Sequence, residues 1–223
     1  IYLNRPHQPL LSRRSFIGGL AFGAAAYTVP GVFAEALTPT AKQAEGPFYP
    51  DRLPLDTDND LLVVNDAITP AVGDITHLSG RVRDLQGKPL RNAKVEIWQV
   101  GSNGVYFHSK DPREGRDANF QSYGRFLTDS KGRYYFRPVR PVPYPGRTPH
   151  IHMAVFAPQS TPLVTQLYVR GEPRNAADFL FKRVPAERRH LVQADFLAAD
   201  LPDVELRASF DLVLGGADGT PAG

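Results

Sequence analysis

The sequence predicts an all-β fold, a β-sandwich with long functional loops and few short helices, and three observations carry that expectation. Apolar and polar residues alternate with period two near the end of the chain: Val204, Leu206, Ala208, Phe210, Leu212 and Leu214 interleave with Glu205, Arg207, Ser209 and Asp211. That is the pattern of a strand buried on one face. The 223 residues include 21 prolines and 19 glycines, which break the chain into short segments suited to strands rather than long helices. One good helical start is present, Pro185 leading into Ala186-Glu187-Arg188-Arg189-His190-Leu191, with proline at the first helical position.

The elements follow in chain order. Segments 76–82 and 93–100 flank Asp84-Leu85-Gln86-Gly87-Lys88-Pro89, whose turn residues predict two strands joined by a hairpin or short loop. Segments 133–137, 150–157 and 163–169 are read as strands, and 204–214 as the last one. Strands of this kind bury their apolar faces by packing two sheets together.

The first residues read as an address rather than as part of this sandwich. Ser12-Arg13-Arg14-Ser15-Phe16-Ile17 precedes a small and apolar stretch from Gly18 to Phe33, and Ala34-Glu35-Ala36 has the A-x-A form of a cleavage site. This resembles a twin-arginine signal, so residues 1–36 are expected to engage the twin-arginine export machinery and to make the protein exported, in the periplasm. Residues 37–223 are expected to form one domain.

Composition excludes several functions. Setting aside Arg5, Arg13, Arg14 and Glu35 leaves 23 basic against 22 acidic residues, with no Lys/Arg run. No electrostatic footprint for nucleic acid is present. Cysteine is absent, which removes disulfides, thiolate metal sites, iron–sulfur clusters and a cysteine nucleophile. A metal must be held by His, Tyr, Asp or Glu.

His150-Ile151-His152 is the sharpest chemical feature. Residues i and i+2 of a strand share a face, so both imidazoles can reach one metal while Ile151, Met153 and Val155 pack into the core. Alone, an H-x-H pair is equally well two histidines on a strand rim. Upstream, Pro141-Val142-Pro143-Tyr144-Pro145-Gly146-Arg147-Thr148-Pro149 forms a stiff extended loop that delivers a phenol and a guanidinium beside the imidazoles. A phenol becomes a good ligand when a strongly Lewis-acidic cation lowers its pKa, and hard iron(III) does so.

These residues carry a family resemblance. Ala44-Glu45-Gly46-Pro47-Phe48-Tyr49-Pro50, Val95-Glu96-Ile97-Trp98-Gln99, Asn103-Gly104-Val105-Tyr106, Tyr144 with Arg147 through His152, and Thr165-Gln166-Leu167-Tyr168 together resemble the intradiol ring-cleavage dioxygenases. The core is similar to the protocatechuate 3,4-dioxygenase type. The resemblance implies an Fe(3+) ion held by Tyr106, Tyr144, His150, His152 and a hydroxide or water, with Tyr144 as the ligand displaced by substrate. It implies a catecholic substrate and O2 as reactants, Arg147 stabilising negative charge on the ring, and Gln166 bonding a substrate or oxygen atom. The expected product is a cis,cis-muconate-type diacid. Relatives of this kind are commonly assembled from several chains, which leaves a homo-oligomer open; the oligomeric state itself is not readable from the sequence.

One departure bears on substrate: only Pro145 and Gly146 separate Tyr144 from Arg147, where protocatechuate-type chains carry a longer insertion that helps wall the pocket. The N-terminal helical region that catechol-type chains use for dimerisation is expected to have no counterpart, as in the compact protocatechuate-like core. Two alternatives stay open at this stage. The rhythm of Gly80-Arg81-Val82-Arg83-Asp84 and Lys88-Pro89-Leu90-Arg91-Asn92-Ala93-Lys94-Val95 is also that of non-catalytic carboxypeptidase-regulatory and transthyretin-like sandwich modules. The His/Tyr donor set also suits copper(II). Glu45 is expected to be a hydrogen-bonded structural acid, and His77 and His190 surface residues.

Overall fold

The computed structural model describes residues 36–54, 56–64 and 69–215. The export reading of residues 1–36 lies outside these, apart from Ala36. Ten strands are present among the described residues: β1 (Thr76–Arg83), β2 (Lys94–Trp98), β3 (Tyr123–Leu127), β4 (Arg133–Phe136), β5 (His150–Phe156), β6 (Leu163–Val169), β7 (Gln193–Ala194), β8 (Leu197–Leu201), β9 (Val204–Ser209) and β10 (Leu212–Val213). Their pairing makes two five-stranded sheets. In one, β1 lies between antiparallel β4 and the parallel β9 and β10, with β8 beside β9. The other runs β3-β2-β5-β6-β7. The predicted β-sandwich is the observed fold.

Alternation places the core between the sheets. Leu78 and Val82 of β1 and Tyr134 and Phe136 of β4 face Val95 and Ile97 of β2 and Ile151, Met153 and Val155 of β5. Burying such side chains is worth roughly 1.5–3 kcal/mol each, enough to fix strand register, because a slip of one residue would turn the set outward.

The predicted strand over 204–214 is interrupted, although its apolar face is buried from Ala208 to Leu214 as expected. The break is chemical. The Tyr134 hydroxyl takes the Phe210 carbonyl and the Asp211 side chain accepts the Arg81 amide, so side chains replace ladder bonds there. Gly80 allows this approach, since a Cβ on it would meet the Phe210 carbonyl oxygen. The helix expected at 185–191 is a 3-10 helix, Ala186–Val192, with Pro185 capping it. A short α-helix not foreseen, α1 (Phe179–Arg183), precedes it, capped by Asp178 accepting from the amides of Leu180 and Phe181. No helix among the described residues is long and apolar enough to cross a membrane.

Candidate metal centre

Register lines up one row of side chains on the face of the β3-β2-β5-β6-β7 sheet turned away from the sandwich core. Tyr123 of β3 pairs with Trp98 of β2, Trp98 with His152 of β5, and His152 with Gln166 of β6. One step along, His150 pairs with Tyr168. Directly opposed residues on one face touch, and the Trp98 indole lies flat on the His152 ring, centroids 4.9 Å apart and planes 9° apart.

The two imidazoles converge as the H-x-H spacing predicts, with Nε2 atoms 3.1 Å apart and both rings buried. His150 Nδ1 lies 2.7 Å from the Thr148 carbonyl. A carbonyl only accepts, so Nδ1 carries the proton and Nε2 keeps its lone pair. Burial, reinforced by the Arg147 charge, pushes the His150 pKa down to about 3. Burial, then the neighbouring His150 and Arg147, pushes His152 well below the usual range. Both are neutral imidazoles at neutral pH, the form that ligates metals.

Tyr106 and Tyr144 reach the same place from two loops. Tyr106 is buried, and its hydroxyl has no hydrogen-bond partner among the described residues. An orphaned buried hydroxyl costs free energy on the order of 1–3 kcal/mol unless something unseen occupies it. Burial and the adjacent Tyr144 raise the Tyr106 pKa well above normal, so its phenolate requires a strong positive charge beside it. Asp111 fixes the loop, accepting the Tyr106 amide at 2.8 Å and pairing with Arg113. Phe48 stacks on the Tyr106 ring at 4.7 Å.

Tyr144 sits on a tight turn. The Arg147 amide donates to the Tyr144 carbonyl at 2.9 Å across Pro145 and Gly146, and Gly146 has φ of 77°. Proline suits the first corner and glycine the positive φ of the second, as in a type II turn. The short connection thereby puts phenol and guanidinium side by side: Arg147 Nη1 donates to the Tyr144 hydroxyl at 3.3 Å. Tyr144 is half-buried, and its ring also packs 5.6 Å from Tyr106 and 5.5 Å from His150.

All six residues singled out from the sequence, Tyr106, Tyr144, Arg147, His150, His152 and Gln166, are therefore brought together. Gln166 is fully buried and spends its amide on protein partners, accepting from Arg147 Nη2 and the Tyr168 hydroxyl and donating to the Ala44 carbonyl at 3.0 Å. Other neighbours were not read from the sequence. Asp178 grips Arg147 Nε at 2.8 Å and the Thr148 amide at 3.1 Å, and Asn175 accepts the Thr148 hydroxyl at 2.8 Å. The only sequence signal for Asp178 was a capping residue ahead of Phe179-Leu180-Phe181. Gly46, at φ of 82°, backs onto His152: a Cβ there would lie 3.3 Å from Cε1. Glu45 is exposed and makes no side-chain hydrogen bond among the described residues, contrary to the structural role expected of it. His77 is half-buried, stacked on Tyr135 rather than free on the surface, while His190 is exposed.

Among the described residues no three of His, Asp or Glu gather at one point. The donors that do gather are two imidazoles and two phenols, a set for a hard, strongly Lewis-acidic cation. The orphaned Tyr106 hydroxyl and the facing Nε2 atoms fit such an ion.

Comparison with known proteins identifies the family to which the chain belongs. A family model described as Dioxygenase matches residues 44–216. The protocatechuate 3,4-dioxygenase beta chain of Burkholderia cepacia is 39% identical over 160 residues, 67% of this chain and 68% of that one. A hydroxyquinol 1,2-dioxygenase of Corynebacterium glutamicum is 30% identical over 147 residues, 58% of this chain but 46% of its own length. Among solved structures, the dioxygenase domain of a dioxygenase–carbohydrate-binding fusion from Streptomyces sp. SirexAA-E superposes with a TM-score of 0.60 at 30% identity, covering 80% of this chain and 99% of that domain.

Proposed function

Because this chain belongs to the intradiol ring-cleavage dioxygenase family of oxidoreductases, we propose that it uses iron(III) to open a catechol-type diol between its hydroxylated carbons with O2, giving a cis,cis-muconate-type diacid. The observation that carries this reading is the convergence of four donors, Tyr106, Tyr144, His150 and His152, with the Tyr106 hydroxyl unpartnered among the described residues and the imidazole Nε2 atoms 3.1 Å apart. These four would hold the metal. Bound there, iron(III) would acidify the diol hydroxyls and draw electron density from the ring, opening it to O2.

The chain's own residues divide the remaining work. Tyr144 is the half-exposed phenol, and its Oη is placed to take a proton from an entering diol. Arg147, hydrogen-bonded to that oxygen, supplies a fixed positive charge where negative charge grows on the ring. Gln166 and Asp178 hold the guanidinium, and Gln166 is a further group for a substrate or oxygen atom. Trp98 and Phe48 cover His152 and Tyr106 and keep water from them. The phenols of Tyr106 and Tyr144 would, as phenolates, offset two charges of a trivalent ion, while the neutral imidazoles of His150 and His152 would add ligation without charge.

Residues 37–223 are read as the catalytic domain, similar to the protocatechuate core, behind a twin-arginine signal over 1–36 that would send the folded enzyme to the periplasm as a homo-oligomer. Family membership displaces the non-catalytic sandwich module. Metal content and the visible spectrum, before and after anaerobic catechol, test the proposal. Near one iron per chain and a tyrosinate charge-transfer band that shifts with catechol is the expected result. Copper, or a colourless protein after growth in iron, would refute it.

A further inference from the structure

Beside the metal centre lies a second concavity, a cavity of about 560 Å³ bounded by residues 39–44, α1, Val184, Pro185, Arg188 and the end of β10. Its size falls within the roughly 300–1,000 Å³ of small-molecule sites. The floor is aliphatic: Ala41, Leu163, Leu180 and Val184 are buried there. Among the described residues, every charged one that lines it is a cation, namely Lys42, Arg183 and Arg188.

None of the three is paired with a carboxylate among the described residues. Arg188 donates from Nη2 to the Pro39 carbonyl at 2.7 Å, yet its Nε is buried without a partner among the described residues. Arg183 rests its guanidinium 5.8 Å from the Phe179 ring centroid. Uncompensated cations around an apolar floor select a ligand with a carbon body and more than one negative charge.

The cavity shares its walls with the metal centre. Asp178 caps α1 and holds Arg147, while Leu180 and Arg183 of the same helix, with Val184 at its C-cap, line the cavity. Gln43 and Ala44 line it too, and they bond Tyr168 at 2.6 Å and Gln166 at 3.0 Å. A ligand here touches the elements that position Arg147 and Gln166.

We propose that this cavity is a second binding site, for an organic dicarboxylate of the class that ring opening releases. The choice of ligand rests on the ring-cleavage reading: an uncharged diol enters and a dianion with a short carbon body leaves. Occupation of the cavity couples accumulated product to the placement of Arg147.

The test is a calorimetric titration of cis,cis-muconate into the iron-loaded full chain, held anaerobically with saturating 4-nitrocatechol, whose visible shift reports the metal centre. Saturable one-to-one binding is expected without loss of that shift. Arg183→Gln with Arg188→Gln should weaken muconate at least tenfold and leave nitrocatechol binding unchanged. Absence of saturable heat, displacement of nitrocatechol, or unchanged affinity in the double variant overturns the second site alone. Failure of nitrocatechol to shift the spectrum sinks the ring-cleavage reading, and this choice of ligand with it.

Discussion

The Arg147 guanidinium is held by the Asp178 carboxylate: Nε donates to Oδ2 at 2.8 Å, and the two side chains are 8% and 0% exposed. A charge aimed at a reaction centre must not wander, and a buried partner on a capped helix end prevents it. Removing one member of a buried pair costs about 3–5 kcal/mol, because the other charge is left uncompensated. Asp178→Asn keeps an acceptor for the amides of Leu180 and Phe181 but loses the charge. It should destabilise the chain by roughly 3 kcal/mol and lower kcat at least tenfold at unchanged iron content. Urea denaturation and metal analysis beside steady-state rates check this; full kcat in the variant would show that Arg147 needs no such anchor.

Acid should expose the same pair. Burial alone would raise the Asp178 pKa, but the Phe181 amide, the Arg147 guanidinium and the Thr148 amide outweigh it and hold the carboxyl below its ordinary 3.8. A group whose folded pKa is depressed stabilises the fold fully above its unfolded pKa, and that share is lost as pH falls through the folded value. Stability measured from pH 6 downward should therefore drop below about pH 4. Asp178→Asn should flatten that limb; identical limbs would mean that other carboxylates govern it.

Gly46 has a backbone φ of 82° and faces the His152 ring. Alanine there meets two penalties, about 1–2 kcal/mol for a left-handed conformation and a Cβ 3.3 Å from Cε1 that must push the imidazole. Shifting a ligand by its neighbour typically weakens metal binding about 10–100-fold. Gly46→Ala should lose iron to a chelator in that proportion while folding normally by circular dichroism. Wild-type retention would sever Gly46 from the site.

Ligands and positioning groups should separate cleanly under substitution. His152→Ala and Tyr144→Phe are expected to abolish turnover, the first with loss of iron. Arg147→Ala should keep iron and its colour but slow ring cleavage by about 10²–10³, the usual cost of removing one preorganised electrostatic group. Single-turnover optical kinetics distinguish the cases. Full activity in either ligand variant would refute the assignment.

How far the sequence reached follows from what each feature depends on. The H-x-H pair was legible because strand periodicity alone puts both rings on one face. Tyr144 and Arg147 were legible because a proline-rich loop feeds the His strand and because they match the family's motifs, whereas the tight turn that Pro145 and Gly146 make between them was read as a stiff extended loop. Asp178 was not: its carboxylate meets Arg147 across 31 positions, on a helix too short to show a 3.6-residue pattern. The break at Phe210 escaped for a similar reason, since alternation predicts which face is buried but not that Tyr134 would capture a ladder carbonyl. The edge strand β8 has mostly exposed side chains and no alternation to read.

Iron should also stabilise the fold. Without it, His152 must turn a proton toward the His150 lone pair to use the 3.1 Å contact between their Nε2 atoms. The buried Tyr106 hydroxyl then still lacks a partner among the described residues. Binding to the folded chain alone adds RT ln(1 + [L]/Kd), about 2.7 kcal/mol when free iron is a hundredfold above Kd. In a domain of this size each kcal/mol moves Tm by about 2–4 °C, so chelation should lower Tm by roughly 5–10 °C. Calorimetric melts of loaded and stripped protein measure it, with His152→Ala as the control whose Tm is insensitive to added iron. Equal melting of loaded and stripped wild type would mean that these four side chains form no strong site, and that the orphaned hydroxyl is satisfied by water instead.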